Sequence, residues 1–235
     1  MDYSNPTLVK LRSIGQKLGI LRPVARLFRS VFQISYENSF DAEMMRQIKG
    51  AETIWDVGAN QGIYTRKFSE KVGKEGAVVA FEPFPSTFNS LQKNTADLAN
   101  VTCMQIALAS KVGKSGFNEA DPNDDTINCL SDQEATGDVI VDVSTGDALV
   151  ASKQLAVPNA MKIDVEGFEI DVIKGIRLIL KDVNLRKLFV EVHFLELKKR
   201  GFENGAREMV EIIEGSGFEL NWTDPSHFIA TRKAV

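Results

Sequence analysis

A glycine-rich turn between a buried strand and an amphipathic helix constrains the fold of this chain more than any other feature. Residues 53–57 are mostly apolar, and Gly58, Asn60 and Gly62 follow them directly. The apolar face of the next helix is predicted to consist of Ile63, Tyr64, Phe68 and Val72. These positions recur at about 3.6-residue spacing. A strand that turns this tightly into a helix is typical of α/β folds with a parallel sheet.

A second strand, residues 77–81, ends in Glu82, about 20 residues past Gly62. Folds that bind adenosine-type cofactors place an acid here that hydrogen-bonds to ribose hydroxyls. The turn reads Asp-x-Gly-x-Asn-x-Gly, which differs from the Gly-x-Gly-x-x-Gly pattern of nicotinamide sites. Asn60 suits the middle position because Asn tolerates positive φ better than most residues. We prefer a cofactor site over the alternative, a tight turn without a ligand.

Strands and helices alternate along most of the chain, which predicts a parallel sheet with helices on both faces. The predicted strands are residues 53–57, 77–82, 101–105, 160–165 and 187–194, and the predicted helices are residues 62–72, 86–96, 169–180 and 205–214. A terminal hairpin, 218–222 with 227–232, adds one antiparallel strand. Residues 1–50 are predicted to form a helical cap, and residues 51–235 form the α/β domain.

Residues 109–146 interrupt this alternation and are predicted to form a hairpin with a long polar loop over 119–137. Long loops in compact domains often serve as lids or binding segments. A lid and an idle insertion both remain open for this segment.

The overall charge and the cysteine content exclude several classes of protein. A net charge of −4 and a pI of about 5.4 argue against a general nucleic-acid binder. Cys103 and Cys129 suggest neither a disulfide framework nor a zinc site, so a reducing cytoplasm is the expected compartment. No apolar run reaches the roughly 18 residues of a membrane span.

Positive charge is concentrated near the N-terminus. Residues 3–36 contain no acidic residue, and the positive charges there are Lys10, Arg12, Lys17, Arg22, Arg26 and Arg29. Apolar residues alternate with them at helical spacing. One interpretation is a helical pair that contacts an anionic surface such as a membrane periphery. The preferred interpretation is a cap packed on the domain with its basic face in solvent.

Ionisable residues gather where the predicted strands end. These residues are Asp56, Glu82, Asp164, Glu166, Glu191 and His193. In doubly wound sheets the ligand lies outside the carboxyl ends of the strands. Because buried charges are costly without a partner, we interpret the group as a functional site. His227 lies in the predicted terminal hairpin and is expected at the surface.

Four segments in order resemble the FkbM family of S-adenosylmethionine (SAM) methyltransferases. They are Asp56 to Gly62, Phe81-Glu82-Pro83, Met161 to Glu169, and Glu191-Val192-His193. The resemblance runs from about residue 53 to the C-terminus. It implies a seven-stranded sheet of order 3-2-1-4-5-7-6 with the seventh strand antiparallel. It also implies O-methylation of a small molecule or saccharide.

The resemblance also implies which residues would hold SAM. Gly58, Asn60 and Gly62 would let the backbone approach its amino-acid part, which Asp56 would orient. Glu82 would accept both ribose hydroxyls. The backbone near Ala107 would contact the adenine.

An alcohol acceptor needs a base within hydrogen-bond reach. His193 is the expected base because the ordinary pKa of imidazole lies near neutrality. Asp164 would accept the acceptor hydroxyl or stabilise the cationic sulfur, and Glu166 would hold His193 or a sugar hydroxyl. A Mg²⁺ ion on Asp164 and Glu191, with His193, is a further possibility.

Two other functions fit part of the pattern. A nicotinamide-dependent oxidoreductase would explain the turn and Glu82 but not the residues from Asp164 to Glu169. A non-catalytic SAM-binding scaffold would use Gly58 and Glu82 without needing His193.

Overall fold

A computed structural model describes residues 34–117, 130–134 and 139–234. The predicted basic helices of residues 1–33 and most of the predicted loop lie outside the described residues. The helices are α1 (Ile34–Gln47), α2 (Ile63–Val72), α3 (Pro85–Thr95), α4 (Gly146–Ala151), α5 (Glu169–Gly175), α6 (Phe194–Lys199) and α7 (Gly205–Gly215), with a 3₁₀ turn at Ile179–Lys181. The strands are β1 (Thr53–Val57), β2 (Ala77–Phe81), β3 (Val101–Met104), β4 (Ala107–Leu108), β5 (Gly113–Phe117), β6 (Leu130–Glu134), β7 (Val139–Ser144), β8 (Ala160–Ile163), β9 (Lys187–Glu191), β10 (Phe218–Trp222) and β11 (His227–Arg232).

The main sheet of the described residues has seven strands in the order β10-β11-β9-β8-β1-β2-β3. Only β11 runs antiparallel to its neighbours, β9 and β10. This order is the predicted 3-2-1-4-5-7-6 read from the opposite edge, so the predicted doubly wound fold is confirmed. The predicted helix over residues 169–180 is shorter, because α5 ends at Gly175 and a 3₁₀ turn follows.

The segment predicted as a simple hairpin belongs to a second, four-stranded sheet in the order β4-β7-β5-β6. Strands β5 and β7 form the predicted antiparallel pair. The sequence analysis missed β4, a strand of two residues that pairs in parallel with β7. Such a short strand has no periodicity that could reveal it.

The core lies on both faces of the main sheet. On one face, Phe40, Met44 and Ile48 from the α1 segment pack with α2 and the strands. The apolar face predicted for α2 is partly wrong, because Ile63 is 66% exposed whereas Thr65 and Ser69 are buried. Gly62 caps the helix in a left-handed conformation. The Thr65 hydroxyl then reaches Asp56 in the core, with an O–O distance of 2.6 Å.

The sheet order brings the predicted site residues to one edge. Strand β1 lies between β2 and β8, and Asp56 is the register partner of Lys162. Strand β9 flanks β8 on its other side. The carboxyl ends of these four strands therefore open onto one region. None of the described helices has both the length and the apolar character that crossing a bilayer requires.

Candidate functional site

An open cleft of about 900 Å³, including its mouth, lies beyond the carboxyl ends of β1, β2 and β8. Its wall contains the predicted residues Gly58, Asn60, Glu82, Ala107, Asp164 and Glu166. The remaining lining residues are Val57, Phe81, Pro83, Phe84, Thr87, Ile106, Leu108, Val165 and Phe168. The location agrees with the general rule for doubly wound sheets.

The turn after β1 passes very close to the end of β8. Gly58 has φ +80°, and a Cβ atom there would lie 1.8 Å from the carbonyl oxygen of Asp164. A side chain at this position is therefore incompatible with the observed strand spacing. Asn60 has φ +50°, as expected for its left-handed position. The turn thus presents backbone rather than side chains to the cleft.

Glu82 is fixed by the backbone of the two turns beside it. Its Oε2 accepts the Asn60 N–H at 3.0 Å, and its Oε1 accepts the Phe84 N–H at 3.0 Å. Burial raises the pKa of this carboxyl, and the two N–H groups offset only part of that effect. Each oxygen keeps a second lone pair that can accept another hydrogen bond. The carboxylate is thus oriented to receive two donors from the cleft.

Asp56 lies beneath the cleft rather than in its wall. Its side chain is fully buried, with Oδ2 accepting the Thr65 hydroxyl and Oδ1 3.9 Å from Lys162 Nζ. Burial raises its pKa, although Lys162 and Thr65 oppose that shift. The role expected for Asp56 toward a cofactor stays a prediction, since its observed contacts are with protein.

Lys162 joins Asp56 to Asp164. Its buried ammonium donates to Asp164 Oδ2 at 3.0 Å and lies 4.8 Å from the ring centre of Tyr64. Burial lowers the Lys162 pKa, but the neighbouring carboxylates raise it to a net value above the ordinary one. For the acid Asp164 the effects are reversed. Burial raises its pKa, but Lys162 and His193 lower the pKa below the ordinary value. Both groups are therefore charged at neutral pH.

His193 contacts the carboxylates expected from the sequence and one that was not predicted. Its Nδ1 lies 2.7 Å from Glu169 Oε1, and its Nε2 lies 3.0 Å from Glu166 Oε2. Asp164 and Glu191 lie 3.8 and 3.7 Å from Nε2. Burial lowers the pKa of His193, but the close contact with Glu166 and the hydrogen bond to Glu169 raise it to about 11. An imidazole with this pKa is protonated at neutral pH. The sequence had led us to expect a neutral imidazole that could accept a proton.

Glu169 is the site residue that sequence reasoning assigned no role. It is fully buried, and its Oε1 also accepts the Gly167 N–H at 2.9 Å. The only available signal was a carboxylate placed on the buried face of the predicted helix. A charge at such a position requires a buried partner. His193, on the adjoining segment, provides it.

His227 is buried, which corrects its expected surface position. Its Nδ1 lies 2.9 Å from Asp224 Oδ1, and its Nε2 lies 3.3 Å from Glu191 Oε2. The ring of Phe40 covers it at a centroid distance of 4.4 Å. Burial lowers the pKa of His227, but hydrogen bonds to Asp224 and Glu191 raise it to about 9. Glu191 on β9 and Asp224 in the hairpin turn therefore offset the cost of burying this imidazole.

The turn that carries Glu166 has an unusual backbone. Glu166 has φ +50°, and Gly167 follows with φ +95°. Arg200 holds this turn by donating to the Gly167 carbonyl at 2.6 Å and stacking 3.5 Å above the Phe168 ring. A left-handed non-glycine residue costs about 1–2 kcal/mol. Such strain is found most often at functional sites.

Asp164, Glu191 and His193 can bring ligand atoms within 4.8 Å of one another, but they fit a Mg²⁺ ion poorly. Mg²⁺ prefers oxygen ligands in octahedral geometry. The ammonium of Lys162 already contacts Asp164, and His193 carries a proton. Lys162 and His193 therefore already supply the positive charge that a metal ion would bring to these carboxylates.

Comparison with known proteins adds independent findings. The family described as "Methyltransferase FkbM domain" matches residues 56–220. Hexuronic acid methyltransferase AglP of Haloferax volcanii is 33% identical over 152 residues, covering 64% of this chain and 59% of that protein. Methyltransferase 1 of Beauveria bassiana is 32% identical over 145 residues, covering 52% of this chain and 57% of that protein. The chain thus spans a little over half the length of these curated relatives.

A crystal structure of methyltransferase FkbM from Methylobacillus flagellatus KT is similar in fold, with a TM-score of 0.53 at 16% identity. The similarity covers 79% of this chain and 44% of that chain.

The strained turn yields a stability prediction. Glu166→Ala and Glu166→Gly both remove the carboxylate, so their difference isolates the backbone conformation. We expect the Gly variant to be more stable than the Ala variant by about 1 kcal/mol, because Cβ disfavours positive φ. Urea unfolding followed by circular dichroism measures this difference. Equal stability, or a more stable Ala variant, would show that the turn is unstrained.

Proposed function

Because this chain belongs to the FkbM family of methyltransferases, we propose that it transfers a methyl group from SAM to a hydroxyl of a small molecule or saccharide. The observation that carries this proposal is the geometry of Glu82. Its two oxygens are held by backbone N–H groups at the cleft wall, beside the side-chain-free surface of Gly58. A diol such as that of ribose matches a carboxylate held in this way.

Different cleft residues would contact different parts of the cofactor. Glu82 would accept the ribose hydroxyls, and the backbone near Ala107 would border the adenine. The turn from Gly58 to Gly62 would lie against the amino-acid part. Gly58, Asn60, Glu82 and Ala107 all line the cleft, so the residues expected to hold SAM lie along one continuous surface. The residues present therefore fit SAM.

Asp164 and Glu166, just past the carboxyl end of β8, also line the cleft, and the acceptor hydroxyl would bind beside them. SAM supplies a methyl group on a positively charged sulfur, so the acceptor oxygen needs no full deprotonation before attack. The hydroxyl proton becomes strongly acidic as the new C–O bond forms, and a carboxylate then suffices to accept it. We assign this role to Glu166, which His193 holds through Nε2.

His193 then acts as a charged positioning group. Its Nδ1 is anchored on the buried Glu169, which fixes the ring with Nε2 toward Glu166. An anchored imidazolium keeps the neighbouring carboxylate oriented. This role replaces the base expected from the sequence.

The acceptor class rests on similarity as well as on the site. AglP is named for a hexuronic acid substrate, and it is one of the curated relatives of this chain. We therefore propose a saccharide hydroxyl as the acceptor. Hexuronic acids and neutral glycosides are the first compounds to test.

The proposal is tested by transfer of radiolabelled methyl from SAM to glucuronic acid and to methyl glucoside. We expect label in at least one sugar with the wild-type protein, and strongly reduced transfer with Glu166→Gln. Calorimetry with SAM checks that the variant still binds the cofactor. SAM binding without transfer to any sugar or host glycan extract would support the non-catalytic scaffold instead.

Metal dependence can be tested separately. We expect an excess of EDTA to leave methyl transfer unchanged, because protein cations already pair with Asp164 and Glu191. The same reaction supplemented with MgCl₂ is the control. Loss of transfer with EDTA, restored by Mg²⁺, would contradict this expectation.

Cofactor binding should depend on pH through Glu82. Because burial raises its pKa, Glu82 takes up a proton at higher pH than an ordinary Glu, whose pKa is about 4.3. Protonation removes acceptor capacity, so the affinity for S-adenosylhomocysteine should fall as the pH is lowered toward the raised pKa of Glu82. Glu82→Gln should bind roughly 100-fold more weakly at neutral pH. Calorimetry should also find little pH dependence in that variant. A pH-independent wild-type affinity would contradict the assignment.

A further inference from the structure

The ion pairs of the described residues connect one network at the cleft. It runs from Asp56 through Lys162 to Asp164, and on through His193 and Glu191 to His227. We call these groups the ion-pair network. Its carboxylates are Asp56, Asp164, Glu166, Glu169, Glu191 and Asp224, and its cations are Lys162, His193 and His227.

The acids of the ion-pair network outnumber its cations by six to three. Each cation is therefore shared between two or more carboxyl groups. Buried like charges are costly unless an opposite charge reaches them. A cationic ligand in the adjoining cleft would supply that charge.

Asp164 is one of these acids, and it lines the cleft wall. Its Oδ2 is held by Lys162, and its backbone carbonyl lies against Gly58. The Asp164 backbone therefore lies against the turn, its side chain is held by Lys162, and both Asp164 and Glu166 line the cleft. In the proposed function this is where the cofactor and the acceptor meet. Glu82 lies at the end of the neighbouring strand β2, where the ribose would bind.

SAM and its product differ in charge at one atom. The sulfur of SAM carries a positive charge, whereas the sulfur of S-adenosylhomocysteine is neutral once the methyl group has left. We propose that Asp164, held by Lys162, is a specificity-determining residue that makes the cleft bind the charged cofactor more tightly than its neutral product. This inference rests on the proposed function, since it assumes that SAM occupies the cleft.

We therefore expect the cleft to bind the neutral product more weakly than the charged cofactor. Methyl transfer leaves the sulfur neutral and places the acceptor proton on Glu166. Once that proton has passed to solvent and Glu166 is again a carboxylate, the product lacks an attraction to the ion-pair network that the cofactor had. At the effective dielectric of a partly buried site, one such charge contact changes affinity by about tenfold or more. A positively charged ligand should gain this affinity whether or not it carries a transferable methyl group.

Calorimetry with three ligands tests the proposal without an acceptor. The ligands are SAM, S-adenosylhomocysteine and sinefungin, in which an ammonium group replaces the methyl sulfonium. We expect the wild type to bind SAM and sinefungin at least about tenfold more tightly than S-adenosylhomocysteine. Asp164→Asn should reduce this preference to less than about threefold, chiefly by weakening the two charged ligands.

Glu82→Gln is the matched control, because it also removes a cleft carboxylate. It should weaken all three ligands by similar factors and so keep the preference, since the ribose is common to them. Circular dichroism checks the folding of each variant. If Asp164→Asn does not fold, Glu191→Gln removes a more exposed carboxylate of the ion-pair network and should lower the preference by a smaller factor.

The outcomes separate the two proposals. Failure of the wild type to bind any of the ligands would overturn the proposed function. Equal or tighter binding of S-adenosylhomocysteine by the wild type, or an undiminished preference in the folded Asp164→Asn or Glu191→Gln variant, would overturn only the present inference.

Discussion

A buried ammonium between two parallel strands organises this site. Lys162 and Asp56 are register partners on β8 and β1, and Asp164 follows two positions after Lys162 on the same face. Two carboxylates could not remain charged at this depth without a cation between them. The ion pairs therefore fix the carboxyl end of β8 against the turn after β1. The contact of Gly58 with the Asp164 carbonyl depends on that arrangement.

Two carboxylates at the cleft, Glu82 and Glu166, are held in position in different ways. Glu82 is oriented by backbone N–H groups alone, so its geometry depends on turn conformation. Glu166 is oriented by side chains, because His193 and the Arg200-braced turn hold it in a left-handed conformation. In the proposed function, the first arrangement would bind the cofactor and the second would face the acceptor.

Sequence reasoning predicted what depends on local pattern and on strand order. Glu82, Asp164 and Gly58 were placed correctly at the cleft because the carboxyl ends of adjacent parallel strands must meet. It could not place Asp56 beneath the cleft, since alternation along a strand gives the face of a residue but not its depth. It also misjudged Ile63, because the buried face of α2 includes the polar Thr65 and Ser69, which apolar spacing does not reveal. The burial of His227 arises from Phe40 and Asp224, which approach only in the folded chain.

His193 illustrates why residue type alone does not assign a catalytic role. An isolated imidazole would be a suitable base near neutral pH. Here Glu169 and Glu166 bind opposite ring nitrogens and stabilise the protonated form by more than burial destabilises it. An imidazole with so high a pKa is protonated at any physiological pH. Methyl transfer from a sulfonium tolerates this, because the acceptor proton becomes acidic only as the bond forms. In the proposed function, a carboxylate held by an imidazolium is therefore sufficient, and we assign the histidine the role of supplying charge and orientation.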